Sequence, residues 1–408
     1  MGNNKNGVVL LLMAAINFTH ILDFMIMMPL GNYLIPYFKI SPAQFTYLVA
    51  AYTISAGISG FLAAFFVDNF DRKKVLLFGY VGFLAGTLAC GIAPTYGFLL
   101  LSRLFAGTFG GLIGAQVLSI IADMFAYEQR GKAMGSIMSA FAVASTFGVP
   151  FSLYLANLIS WHAPFLMVVL IGLITIPFLL KYIPSLTAHI QAGDKPTMGQ
   201  RWSIMQNVLK SKQQRMALIF SGLIMMGHFL VIPFINPYLE FNKGFSKQQT
   251  PMIYLVGGVA SFIAANWLGK LADRKGKLLV FRICVLAALP LVLLITALPD
   301  MHFAIVLVLF AIWFTLSTGR GVAAQAMVSN VIPAATRGSF MSFNSSIQQL
   351  GTSAASLVAG LIVAKGTNGR ILHYNWVGYL SIAVLMTTVI IGLRTFKQTD
   401  VVRRVNPV

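Results

Sequence analysis

The stretch from Asn17 to Tyr37, NFTHILDFMIMMPLGNYLIPY, carries Asp23 in the middle of a long apolar run. At the centre of a membrane-spanning helix an Asp costs roughly 2.5 to 3.5 kcal/mol, so a chain keeps one there only where something uses it. The other nine acidic residues, Asp68, Asp71, Asp123, Glu128, Asp194, Glu240, Asp273, Asp300 and Asp400, fall in loops or at helix ends. His20 lies three residues before Asp23 on the same helix face, and Pro29 and Gly31 loosen the helix beyond it. Such a carboxylate points to a protonation or cation site; the alternative is a structural Asp hydrogen-bonded to neighbouring helices. Arg103, in LLLSRLFAGTFGG, is a second ionisable group inside an apolar run. At 1.5 Å per residue Asp23 lies about 20 Å and Arg103 about 12 Å below the outer ends of their helices, an offset that a long Arg side chain spans in large part. An acid and a base in reach of each other make a proton switch, because protonating Asp23 cancels the attraction and frees Arg103. A permanent ion pair is the other reading.

The second half holds His228 in IMMGHFLVIPFINPY and Arg320 in LSTGRGVAAQ, with no deep carboxylate to pair with either. An intramembrane Arg faces a cavity or a partner, so Arg320 is expected to meet a polar or anionic part of a ligand, or a backbone carbonyl. FNSSIQQLG reads as a polar stripe holding Asn344, Gln348 and Gln349. The expected small-molecule contacts are Asn17, Phe24, Met27, Gln116, His228, Asn236, Arg320, Gln325, Asn344 and Gln348. Met25, Met28, Met225 and Met226 add flexible apolar surface suited to varied ligands.

These residues need helices to position them. Of 408 residues, 58% are hydrophobic and 10% charged, whereas a soluble domain carries about 25% charged residues. The chain is an all-α, polytopic membrane protein. Apolar segments long enough to cross about 30 Å of hydrocarbon lie near 8–36, 42–67, 75–94, 96–125, 133–157 and 163–183, then near 214–239, 250–272, 278–298, 302–331, 339–364 and 373–394. Twelve helices follow, six in an N-terminal domain 1–183 and six in a C-terminal domain 214–408, joined by a linker 184–213. Within the linker Trp202, Met205 and Leu209 form a helical face that can lie on the membrane surface. Lys5 and the apolar run after it resemble a signal peptide, but the run continues past any small-residue cleavage site and reads as the first span.

The net charge of +19 is a matter of distribution. Arg72, Lys73, Lys74, Arg130, Lys132, Arg201, Lys210, Lys212, Arg215, Arg274, Lys275, Lys277, Arg337, Arg403 and Arg404 share one side, while only Lys39, Lys243, Lys247, Lys365 and Arg370 fall on the other. The positive-inside rule then places both termini in the cytoplasm. Cys90 and Cys284 lie within apolar segments and read as small packing residues. No phosphate-binding loop, metal cluster or nucleophile elbow appears, so neither ATP-driven transport nor enzyme chemistry is supported.

The halves repeat. Pro29 matches Pro233 and Asn32 matches Asn236, 204 residues apart; VDNFDRKKVLL at 67–77 answers LADRKGKLL at 271–279, and EQRGKAMGSIMS at 128–139 answers ATRGSFMSFNSS at 335–346. Two bundles from a duplicated ancestor, with a cavity between them, are expected. At these loops the chain resembles the major facilitator superfamily over nearly its whole length. Gly269, Leu271, Ala272, Asp273, Arg274, Gly276 and Lys277 match that family's G-x-L-A-D-R-x-G-R-K signature; the first copy keeps Asp68, Arg72 and Lys73, with Ala64 and Asp71 in place of glycines. The resemblance implies a cytoplasmic gate at Asp68, Arg72 and Asp123, with Asp273 and Arg274 in the second copy. Arg103, Gly107, Gly110 and Gly111 are similar to its R-x-x-x-G-x-x-G-G pattern. Gly148 and Pro150 in ASTFGVPFSLYLA, with SWHAPF at 160–165, resemble the drug:proton antiporter and sugar-efflux-like branch, with Ser152 where glycine is usual.

The resulting expectation is a proton-coupled antiporter of the bacterial inner membrane, acting as a monomer and exporting small drug-like, lipophilic or sugar-like molecules by alternating access. It needs no cofactor, metal or nucleic acid. Asp23, His20 and Arg103 would carry the proton coupling. An uptake symporter or facilitator of the same fold is the first alternative, and a non-transporting membrane sensor the second.

Overall fold

The computed structural model describes residues 2–63, 65–125, 133, 137, 139–187, 198–331 and 337–397. Glu128, Arg130, Lys132, Asp194, Asp400, Arg403, Arg404 and linker residues 188–197 lie outside the described residues, as do the side chains of Asp68, Arg201, Met205 and Arg337. The regular secondary structure of the described residues is helical apart from a short antiparallel ladder of β1 (Ala364–Lys365) and β2 (Ile371–Leu372). The helices are α1 Gly2–Met27, α2 Gly31–Tyr37, α3 Pro42–Ala63, α4 Arg72–Gly91, α5 Tyr96–Met124, α6 Val149–Leu158, α7 Ala163–Tyr182, α8 Met198–Lys210, α9 Lys212–Phe229, α10 Ile235–Phe241, α11 Thr250–Lys275, α12 Lys277–Thr296, α13 Phe303–Asn330, α14 Arg337–Ile362 and α15 Tyr374–Phe396.

Eleven stretches of the described residues are long and apolar enough to cross a membrane. The expected span at 339–364 is α14, a helix of 26 residues. At 1.5 Å per residue it is about 39 Å long, and its buried polar side chains Asn344, Ser346, Thr352, Ser353 and Ser356 lower its hydropathy without shortening it.

Two helices are broken where the sequence repeats. The first span stops at Met27, turns through Met28–Leu30 and restarts as α2. The seventh passes from α9 through a 3-10 turn, Ile232–Phe234, into α10. Pro29 and Pro233 sit in the two breaks, where a missing N–H and a fixed φ interrupt the helical ladder.

By packing, the chain divides into two compact units, Met1–Leu30 with Leu48–Trp202, and Gly31–Tyr47 with Ser203–Val408. The expected domain 1–183 was unbroken, whereas Gly31–Tyr47 groups with the second unit. The helix break supplies the reason, since it lets α2 pack on α10: Asn32 Nδ2 donates to Glu240 Oε1 at 2.7 Å, and the rings of Phe45 and Phe234 meet edge-on at 6.3 Å. The inner core of the second unit is mainly aliphatic and includes an aromatic cluster, with Phe220 at 5.1 Å from Phe281 and 5.0 Å from Phe396. In α8, Trp202 and Leu209 are exposed while Val208 is buried.

The two charged loops turn differently. In the second, α11 runs on to Lys275 and Gly276 reverses the chain at φ +101°, a conformation that suits glycine alone. The first has Asp71 at the aligned glycine position. Its carboxylate accepts from the Lys73 N–H at 2.9 Å and caps α4, and it also accepts from Ser185 Oγ at 2.6 Å and the Leu186 N–H at 2.9 Å. Side-chain capping replaces the glycine turn and fastens the loop to the chain just after α7. Burial raises the Asp71 pKa, but these hydrogen bonds and the Lys74 charge outweigh it and hold the carboxyl below its usual value.

Candidate functional site

Asp23 stands on α1 and Arg103 on α5, both in the first unit. Arg103 Nη1 donates to Asp23 Oδ2 at 2.8 Å, and neither side chain has exposed surface. The Tyr52 ring of α3 lies 4.3 Å from the guanidinium carbon, a cation–π contact strengthened by burial. Tyr52 comes this close because α5 carries Gly107, where a Cβ would stand 2.8 Å from the Tyr52 Cα. Thr87 and Cys90 of α4 complete the surroundings of the pair. Only part of its hydrogen-bonding capacity is used: Asp23 Oδ1, Arg103 Nε and Arg103 Nη2 are buried without partners. Oδ1 is therefore an open position for a proton, and the pair is a strong charge-assisted contact that one protonation would dissolve.

His20 makes no hydrogen bond to Asp23; both its ring nitrogens are buried and unpartnered. The ring packs 6.3 Å from Tyr52 and edge-on to Phe83 at 5.8 Å. Phe24 stacks on the other neighbour of the pair, Tyr52, at 6.1 Å. Met27 is fully buried. Asn17 Nδ2 donates to the Ile137 carbonyl at 3.2 Å, and Gln116 is buried with Oε1 unpartnered. The fifth span approaches α1 beside this site through a π-helical turn, Ala144–Gly148, a distortion often found at functional sites. A Cβ at Gly148 would lie 2.7 Å from Leu22 Cδ1, so glycine permits the close crossing one residue from Asp23.

At the charged end of the first unit Arg72 Nε donates to Asp123 Oδ2 at 2.6 Å, joining the start of α4 to the end of α5. In the second unit Asp273, near the end of α11, pairs at 3.4 Å with Lys277, the first residue of α12, and Arg274 is exposed.

The second unit brings His228 and Arg320 into one neighbourhood, close enough to interact electrostatically. Asn236 accepts from the Tyr254 hydroxyl at 3.1 Å. Asn344 is buried with Oδ1 unpartnered, and Gln348 is half-buried. Gln325 is exposed, about 140° around α13 from Arg320 at 100° per residue. Tyr52, Asp71 and Glu240 went unremarked as site residues. Tyr52 has a local signal, an aromatic three residues before Ser55 and seven before Ser59 on a small-residue face, but its partner is fixed only by α5. Glu240 sits one turn beyond Asn236 at the end of α10, as expected of an acidic residue outside the membrane centre, and its signal is the buried Asn32 that donates to it.

The membrane spans, the repeated helix breaks and the buried acid–base pair define an integral, multi-pass membrane protein. A family model described as Major Facilitator Superfamily matches residues 13–323, and the chain belongs to that family of transporters, which are not enzymes. It is 23% identical to the uncharacterized MFS-type transporter YbcL of Bacillus subtilis (strain 168) over 78% of either chain. It is 31% identical to Multidrug resistance protein 3 of the same organism, over 36% of this chain and 28% of that one. The nucleoside transporter NupG superposes with a TM-score of 0.76 at 15% identity, covering 95% of this chain and all of NupG, which is a likeness of fold.

Proposed function

We propose that the protein is a proton-coupled antiporter that exports small organic molecules, with Asp23 as the proton carrier and Arg103 as the group released on protonation. The observation that carries this reading is the fully buried Asp23–Arg103 contact with an unpartnered carboxylate oxygen. A buried pair of this kind adds little net stability, so a role in the transport cycle explains its presence better than a structural one. Each proton entering gains about 2.3 kcal/mol per 100 mV of membrane potential, enough to support a substrate gradient. The likeness of ASTFGVPFSLYLA to efflux carriers and the partial match to a multidrug resistance protein favour export. Both termini are assigned to the cytoplasm by the distribution of basic residues, in the inner membrane of a bacterium.

The experiment is proton movement in proteoliposomes holding an internal pH dye. Addition of lipophilic, sugar and amino-acid panels to the native protein is expected to give a substrate-dependent pH change that Asp23→Asn abolishes. A pH change of equal size in the variant would move the coupling away from Asp23.

A further inference from the structure

Arg320 stands in a different electrical situation from Arg103. It is 2% exposed, near the middle of an apolar span Phe303–Asn330, and among the described residues no carboxylate pairs with it. Its Nε is buried without a partner. A lone guanidinium at this depth is expensive, and the cost falls when an anion takes up its fork of donors.

The surroundings describe the rest of such a ligand. Trp313, Ser317 and Arg320 share one face of α13 at helical spacing, and the Ser317 hydroxyl is buried and unpartnered. The His228 ring from α9 lies 5.1 Å from Trp313, with its Nδ1 also buried and unpartnered. Phe314 meets Trp313 at 5.1 Å and Tyr254 at 6.1 Å. Aromatic walls beside open polar atoms and one fixed cation suit a flat apolar body ending in an oxyanion.

We propose that Arg320, with His228, Ser317 and Trp313, forms an anion-binding subsite in the second unit, and that the substrate is an aromatic organic acid whose carboxylate engages Arg320. This deepens the transport reading above by naming a substrate class. It places the substrate's charge on Arg320 in one unit and the proton on Asp23 in the other, so the two functions are separable by mutation.

The test is equilibrium binding to the purified full-length protein of three probes with one ring system: 2-naphthoate, 2-naphthamide and 2-naphthylmethylammonium. The native protein is expected to bind naphthoate at least about tenfold more tightly than the amide, as expected of a guanidinium fork reading a carboxylate. Arg320→Gln is expected to erase that preference and Arg320→Lys to weaken it, while Asp23→Asn retains it. Thermal unfolding of each variant shows that it is folded; should Arg320→Gln fail this check, Arg320→Lys and the probe ranking on native protein decide. Equal binding of the three probes, preference for the ammonium, or a carboxylate preference that survives in Arg320→Gln overturns the proposal. Loss of proton coupling with naphthoate preference intact would instead speak only to the role of Asp23.

Discussion

Asp23 and Arg103 are each the other's main compensation for burial, which makes their single and double substitutions unequal. Arg103→Ala leaves a buried carboxylate alone and is expected to cost about 3–5 kcal/mol. Asp23→Asn with Arg103→Gln, which removes both charges, is expected to recover most of that loss in thermal unfolding. Additive losses would mean that the two groups do not compensate each other. Tyr52 offers a finer check, since Tyr52→Phe keeps a ring beneath the guanidinium and Tyr52→Leu removes it. The leucine variant is expected to be the less stable by about 0.5–2 kcal/mol, and equal stabilities would deny the cation–π contact a role. At this scale the sequence is informative about types and poor about partners. Asp23 and Arg103 announce themselves by depth in apolar runs, but that Arg103 also rests on Tyr52 depends on how α3 and α5 cross.

Among the elements, the junction of α1 with the fifth span and the start of α4 carry the sharpest consequences. Gly148→Val puts side-chain atoms where Leu22 already lies. It is expected to cost about 1–3 kcal/mol and to impair transport, because the displaced helix borders Asp23; a variant with native activity would show that this crossing is tolerant. Asp71→Ala removes the cap of α4 and its bonds to Ser185 and Leu186, at an expected cost of about 0.5–2 kcal/mol for the cap alone. The sign of the pH effect follows from the lowered folded-state pKa of Asp71. Its stabilisation is complete above the ordinary value of 3.8 and is lost as pH falls through the lower folded value. The gap in melting temperature between native protein and Asp71→Ala should therefore be constant at neutral pH and close only in acid. A gap that widens on acidification would contradict the assignment. The sequence shows Asp71 in place of a glycine of the loop pattern; it does not show that the carboxylate takes over by capping the helix and holding the chain after α7.

For the whole molecule, hydropathy and the repeat of 204 residues made the span count and the two helix breaks legible, because lipid demands internally satisfied helices. Less legible was the assignment of Gly31–Tyr47 to the second unit. It depends on side-chain pairing across 208 residues of sequence, as in Asn32 with Glu240, which periodicity does not encode. The span at 339–364 was legible as well, although the buried polar side chains of α14 lower its hydropathy. The proposed orientation predicts that Lys39→Cys reacts with an impermeant thiol reagent in intact cells and that Lys74→Cys reacts only after permeabilisation. The buried native Cys90 and Cys284 are expected to stay silent, and the reverse labelling pattern would invert the topology.

The central claim is that Asp23 couples a proton gradient to substrate movement. Its most direct measurement is accumulation of a labelled panel of organic anions, lipophilic cations, sugars and amino acids in inside-acid proteoliposomes, native protein against Asp23→Asn. Accumulation that requires the gradient and vanishes in the variant is the predicted result. Accumulation equal in both proteins, or equal with and without the gradient, would contradict proton coupling through Asp23 and make the protein a facilitator with a structural ion pair.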